Sequence, residues 1–173
     1  GDGWKRNFFM SVPVSDPDFW NAEPIRRRLE DTLVFASDDN WRFHFARAEF
    51  PQQLALGTDP LEPRKYPDSV LLFSGGTDSL CATIEAVAKL GTRPILLSHH
   101  STSFVDHRQE QLVTDLRKAL GGQWFLPRLS LLVNKARARE RDTAQRTRSF
   151  LFASLAAGVA SALGLPRVIL ADN

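Results

Sequence analysis

This chain has one cysteine, one methionine and one tyrosine in 173 residues. The single Cys81 excludes an intrachain disulfide and a cysteine-built zinc site within the chain, and fits a reducing, cytoplasmic compartment. An excess of charge of one sign is also missing. Lys and Arg number 22 against 20 Asp and Glu, and a net charge of +2 is too small to argue for a nucleic-acid partner by itself. No apolar run reaches the roughly 18 residues needed to cross a bilayer. The start, Gly1-Asp2-Gly3-Trp4, lacks an initiator Met and a signal peptide and is expected to be a fragment end. What remains is 43% hydrophobic content, enough for the core of one domain or one domain with a small appendage.

The most informative stretch present is Ser69-Val70-Leu71-Leu72-Phe73-Ser74-Gly75-Gly76-Thr77-Asp78-Ser79-Leu80. Val70 to Phe73 reads as a buried strand, Ser74 to Ser79 as a turn, and Leu80, Ile84, Val87 and Ala88 as the apolar positions of a helix. Such a turn aims backbone N–H groups outward at a helix N-terminus, where the positive dipole end attracts anions and phosphate above all. Gly75 and Gly76 permit positive φ and close approach of an anion, and Ser74 and Ser79 add hydroxyl donors. An ionised Asp78 cannot donate, so its partner is a metal ion bridging phosphates or a backbone N–H. The plain alternative is an Asp-capped helix after an ordinary glycine turn. The Walker pattern Gly-x4-Gly-Lys-Ser/Thr is absent.

Three prolines between residues 58 and 68 mark a linker, with a small unit over 1–57 and a larger one over 69–173. In the small unit, Phe8 to Val14 reads as a strand and Asp16-Pro17 opens a helix through Phe19, Trp20, Ile25, Leu29, Leu33 and Val34, limited or kinked by Pro24. Asp38-Asp39-Asn40 turns into a strand where Trp41, Phe43 and Phe45 alternate with Arg42, His44 and Arg47. This is a β-α-β unit. Its aromatic–basic alternation describes a half-buried strand better than a base-stacking surface. The larger unit alternates strands at 70–73, 94–98, about 124–133 and 167–171 with helices at 78–90, 106–120 and 149–163. Gly91, Gly121 and Gly164 are C-cap candidates. The pattern predicts an α/β fold, a doubly wound parallel sheet with helices on both faces and ligands beyond the carboxyl ends of the strands. The last helix, apolar nearly all round, is expected to be deeply packed.

Ser74-Gly75-Gly76-x-Asp78-Ser79 after a hydrophobic strand resembles the SGGxDS loop of the PP-loop ATP pyrophosphatases. Leu97-Ser98, the polar loop after it and then Arg108, Gln109, Gln111 and Leu112 resemble the second strand and helix of 7-cyano-7-deazaguanine synthases. Arg148-Ser149-x-x-Phe152-x-Ser154-x-Ala156-Ala157 and Val168 to Asn173 resemble a later helix of that family and the strand leading to its substrate loop. The architecture is similar to the variant group found in anti-phage defence operons, such as the Qat system. The resemblance covers roughly residues 68–173. Ser149 departs from it, standing where the biosynthetic enzymes have Asn.

The resemblance implies a Rossmann-like PP-loop fold, ATP and Mg²⁺, and adenylation of a carboxylate or amide with release of pyrophosphate. Ser74, Gly75, Gly76, Thr77, Asp78 and Ser79 would hold ATP or pyrophosphate, with Asp78 also toward Mg²⁺. Asp78 and Arg148 would be catalytic, Arg148 as a bidentate clamp on phosphate or carboxylate. Ser98, His99, His100, Asp172 and Asn173 would line the adenine and substrate side. The family's four-cysteine zinc site lies further along, so zinc would need residues beyond Asn173. Residues 1–173 alone are expected to bind ATP weakly and to self-associate through an apolar patch on the last helix, with proteins of a defence operon as partners. Two other readings stay open: an inactive nucleotide-binding sensor or assembly subunit, and an RNA-modifying enzyme.

The remaining candidates are weaker. The basic run Lys135, Arg137, Arg139, Arg141, Arg146 and Arg148 reads first as a solvated loop. Adjacent His99 and His100 without a spaced partner do not make a metal site. His107 is expected on the surface and Cys81 in the core.

Overall fold

The computed structural model describes residues 5–48, 67–100, 102–121, 126–132 and 145–171. Its first elements are strand β1 (Asn7–Val14), helices α1 (Pro17–Asn21) and α2 (Glu23–Ser37), and strand β2 (Asn40–Arg47), which pairs parallel with β1. The expected β-α-β unit is present, and Pro24 acts as anticipated. Proline is disfavoured in a helix interior but fits the first turn, so the segment breaks at Ala22 and restarts as α2. Asp16 caps α1 by accepting from the Phe19 N–H. Phe45 is buried, while Trp41 and Phe43 are half-buried and stack in series with Phe8 and Phe45. Arg42, His44 and Arg47 face solvent. The alternation therefore builds a half-buried strand.

Among the described residues, the outer edge of β2 is closed by side chains. Glu30 Oε1 accepts the Phe43 N–H at 3.0 Å, and the Asn21 amide accepts from Phe45 N and donates to Phe45 O. Two parallel strands need such support, because they offer little stability of their own. At the start of β2, buried Asp39 takes three N–H groups of Arg6: the backbone N at 3.0 Å, Nε at 3.1 Å and Nη2 at 2.7 Å. These bonds hold the Asp39 carboxyl below its usual value, the Arg6 side chain being the largest cause. The folded pKa is thus lower than the unfolded one. The resulting stability is complete above the unfolded value and is lost as pH falls toward the folded value. Acid titration of the fold by circular dichroism should show this loss beginning below about pH 5. Asp39→Asn should flatten that branch while lowering stability at neutral pH.

The second set of elements is β3 (Ser69–Leu72), α3 (Thr77–Ile84) with a π-helical turn at Glu85–Lys89, β4 (Pro94–His100), α4 (Ser103–Ala119), β5 (Arg128–Leu132), α5 (Gln145–Ala162) and β6 (Val168–Ile169). The four strands are parallel in the order β5-β4-β3-β6. On one face Leu71, Phe73 and Leu96 pack with Ala86 and Val87 of the π turn and Val113 and Leu116 of α4. On the other, Val70 and Leu97 pack with Ala156 and Ala160 of α5. The chain is α/β with parallel sheets, an arrangement compatible with a Rossmann-like fold. It divides into two units, residues 1–58 with 142–150 and residues 59–141 with 151–173. The expected linker lies largely outside the described residues, as does the basic run up to residue 144. No helix among the described residues is long and apolar enough to cross a membrane.

Four expectations change. Helix α4 starts at Ser103 rather than 106, because the Thr102 hydroxyl accepts the Val105 N–H and caps it. Helix α5 starts at Gln145, so Arg148 sits inside its first turn. That helix is not deeply packed. Among its described side chains Ala156 and Ala160 are the buried ones, Ser154, Ala157, Gly158, Ser161 and Ala162 are exposed, and none of the large apolar ones is strongly exposed. A uniformly small and apolar helix has no strong moment, so composition alone does not say how much of it is covered. Finally, Cys81, Ile84 and Ala88 are exposed. The inward positions of α3 belong to Ser79 and Thr83, whose hydroxyls bond to Gly76 O at 2.9 Å and Ser79 O at 2.7 Å. Satisfied hydroxyls can be buried, so Ser79 and Thr83 share the inward side with Leu80, which packs against the core, and with Val87, which is buried as expected. Gly91, Gly121 and Gly164 all take positive φ, as expected of C-caps.

Candidate phosphate-binding site

The loop from Ser74 to Ser79 leaves the carboxyl end of β3 and opens α3. Gly75 has φ +83°, a left-handed conformation that any side chain would strain. A Cβ there would also stand 3.3 Å from Gln109 Cγ and 3.4 Å from Leu112 Cδ1. Gly76 is the N-cap, with extended backbone at φ −84° and ψ 169°. The first intrahelical bond runs from Leu80 N to Gly76 O, which places Thr77, Asp78 and Ser79 in the turn whose N–H groups have no intrahelical acceptor. The Gly75 and Gly76 N–H groups donate to Ser79 Oγ and Ser74 Oγ, both at 3.2 Å, and the two hydroxyls lie 3.2 Å apart. These are long bonds to neutral acceptors. A phosphate oxygen is a stronger acceptor for the same donors. Ser74, Gly76, Thr77 and Asp78 are exposed, whereas Ser79 is buried. An exposed carboxylate beside such a loop suits Mg²⁺, which binds through one or two carboxylates, phosphate oxygens and water. Among the described residues no group of three His, Cys, Asp or Glu side chains is placed to hold a metal without that help.

The expected adenine and substrate residues part company. Side chains alternate along β4, so Ser98 and His100 point to the α4 face and His99 to the α5 face, where its ring lies 5.3 Å from that of Phe152. Two neighbouring histidines on opposite faces cannot share a metal. Ser98 is fully buried and its hydroxyl accepts from Arg128 Nε at 3.1 Å, so its place is under the site rather than on its surface. His99 and His100 are half-buried at the carboxyl end of β4. Arg148 is exposed in the first turn of α5. A cation there opposes the helix dipole, so helix stability does not account for it. Asp172 and Asn173 lie outside the described residues.

Sequence reasoning missed the group that organises this end of the sheet. Arg128, with only 6% of its side chain exposed, begins β5 and reaches four partners beyond its own strand: Ser98 Oγ, Asp106 Oδ1 at 2.6 Å, Gln109 Oε1 at 2.8 Å and Glu110 Oε2 at 3.2 Å. Ser130 Oγ donates to Asp106 Oδ1 at 2.7 Å and lies 2.9 Å from His100 Nδ1. The Arg128 guanidinium and the Ser130 hydroxyl together hold the Asp106 carboxyl below its usual value. Gln109 completes the link by donating from Nε2 to Ser74 O at 3.0 Å and His99 O at 3.2 Å. The one sequence signal for this network is polar residues, Ser98, Gln109 and Arg128, at positions whose neighbours belong to the core. The chain matches no family model, no curated protein and no solved structure.

Proposed function

We propose that this chain is an ATP-binding PP-loop enzyme that activates a carboxylate or amide by adenylation and releases pyrophosphate. The observation that carries the reading is the Gly75 left-handed turn between β3 and α3, at the carboxyl end of a central parallel strand. The strand order adds support. From β3 the chain moves outward through β4 to β5 and then crosses the other face to β6, so the order reverses beside β3. In doubly wound sheets ligands bind at that reversal, where the Ser74 loop lies.

In this reading a substrate oxygen attacks the α-phosphorus of ATP. The bond from that phosphorus to the bridging oxygen breaks, and pyrophosphate leaves carrying the electron pair. Backbone N–H groups of Gly75 to Ser79 and the Ser74 hydroxyl hold the leaving group, with positioning and charge stabilisation as the source of rate. Bound Mg²⁺, held by Asp78 and phosphate oxygens, would neutralise charge on the pyrophosphate. Arg148 clamps phosphate or carboxylate. His99 and Phe152 offer ring faces on the α5 side for a flat base. We place the protein in the cytoplasm, with kinship to 7-cyano-7-deazaguanine synthases and to defence-operon variants of them.

Pyrophosphate release on incubation with ATP, Mg²⁺ and candidate carboxylates is the direct test. Arg148→Lys should lower that release by about tenfold or more, since a point charge cannot replace a planar fork. Unchanged release in Arg148→Lys would assign Arg148 to solvent. ATP binding without release from any substrate would favour the sensor reading.

A further inference from the structure

We infer that Gln109 is the positioning residue of the phosphate loop, an inference that rests on the proposed phosphate-binding role of Ser74 to Ser79. Gln109 is 3% exposed and occupies the inward face of α4 with Val113 and Leu116. A buried glutamine in an apolar row is costly unless its amide is satisfied. Here both amide N–H groups and one lone pair of the amide oxygen are used, and the partners fix its orientation. Ser74 O and His99 O are acceptors, so the amide nitrogen faces them; Arg128 Nη2 is a donor, so the amide oxygen faces it.

The bond to Ser74 O has a consequence for the loop. Ser74 C=O and Gly75 N–H belong to one planar peptide. Fixing the oxygen toward Gln109 therefore fixes the direction of the Gly75 N–H, the first amide of the phosphate cradle. Gln109 Cγ also bounds the space beside Gly75, at 3.3 Å from where a Cβ would stand. His99 O, held by the same amide, ties the carboxyl end of β4 to that of β3. Arg128 anchors Gln109 in turn through Oε1, and Asp106, Glu110 and Ser98 hold Arg128. The cradle's shape is thus set from α4 and β5, before any ligand arrives, which is the preorganisation that phosphate chemistry needs.

Two substitutions separate this role from a merely structural one. Gln109→Glu keeps the length and the acceptor toward Arg128 but replaces the two N–H donors with a carboxylate oxygen facing the Ser74 and His99 carbonyl oxygens. Gln109→Met removes both arms at similar volume. If Gln109 acts through Ser74 O, both variants should weaken ATP·Mg²⁺ binding in calorimetry by about tenfold, the worth of one good hydrogen bond. Both should also shift the Gly75 and Gly76 amide signals in nuclear magnetic resonance spectra taken without nucleotide. If Gln109 only braces Arg128, Gln109→Glu will bind ATP as the parent does and only Gln109→Met will lose affinity; that result overturns the inference and leaves the phosphate reading intact. Failure of the parent protein to bind ATP·Mg²⁺ or pyrophosphate overturns the phosphate reading itself, and the positioning role with it. Should either variant fail to fold, the parent decides: addition of ATP should shift the Gln109 side-chain amide signals, and unmoved signals overturn the inference.

Discussion

Gly76→Val should leave the protein folded and weaken ATP·Mg²⁺ binding by about 100-fold or more, equivalent to ~2.7 kcal/mol. The backbone at Gly76 lies in the extended region, where valine is at ease, and among the described residues a Cβ there meets only Ser74 Oγ, at 3.4 Å. The fold loses little beyond a weaker helix cap, about 1 kcal/mol. The added isopropyl group instead occupies the exposed mouth of the cradle, where a phosphate would approach the backbone. Gly75→Val is the contrasting control. Its φ of +83° and the 3.3 Å approach to Gln109 Cγ make any side chain strained, so this variant should damage the loop and lower stability. Calorimetry with circular dichroism checks both. Equal affinity in Gly76→Val and the parent would remove the loop from consideration as a phosphate site.

Arg128→Met should produce the largest loss of stability, about 2 to 3 kcal/mol, because charged hydrogen bonds are broken and buried partners are left unsatisfied. Ser98 Oγ and Gln109 Oε1 are buried and would lose their donor, while Asp106 and Glu110 are partly exposed and can turn to water. That partial exposure keeps the figure below the cost of stranding a fully buried ion. For a chain of this length the thermal midpoint should fall by roughly 5 to 10 °C. A second readout concerns pH. Asp106 has its folded pKa lowered by Arg128 and Ser130, so its contribution is complete above the unfolded pKa and fades as pH falls through the folded one. Arg128→Met should flatten this part of the acid branch. A midpoint and an acid branch both unchanged would mean that the network does not brace the sheet.

Much of this architecture was legible in the chain. The four apolar residues before Ser74, the glycines at 91, 121 and 164 that follow three of the helical segments and the single-face alternation at 41–45 each follow from local rules of period and backbone freedom. Those rules gave the element order, the parallel β-α-β unit and the position of the Ser74 loop at a strand end. The loop stood out because its chemistry is contiguous: Ser74, Gly75, Gly76, Thr77, Asp78 and Ser79 are neighbours in sequence as well as in space.

Tertiary structure alone decided what lies around the loop. Gln109 and Ser74 are 35 residues apart, and Arg128 meets Asp106 across 22, so no window of sequence contains both partners. Burial of Ser79 and Thr83 in place of Cys81 and Ile84 was equally hidden. A periodicity search weighs polarity, whereas burial also depends on whether a hydroxyl finds an acceptor. The two adjacent histidines show the same limit, since only the strand's placement between α4 and α5 sends His100 to Ser130 and His99 to Phe152. The sequence by itself determined the order of elements and the contiguous loop, because those depend on nearest neighbours. The sheet order, the faces and the buried network that holds the loop were decided by the fold, because long-range pairing chooses which polar groups can be satisfied out of water.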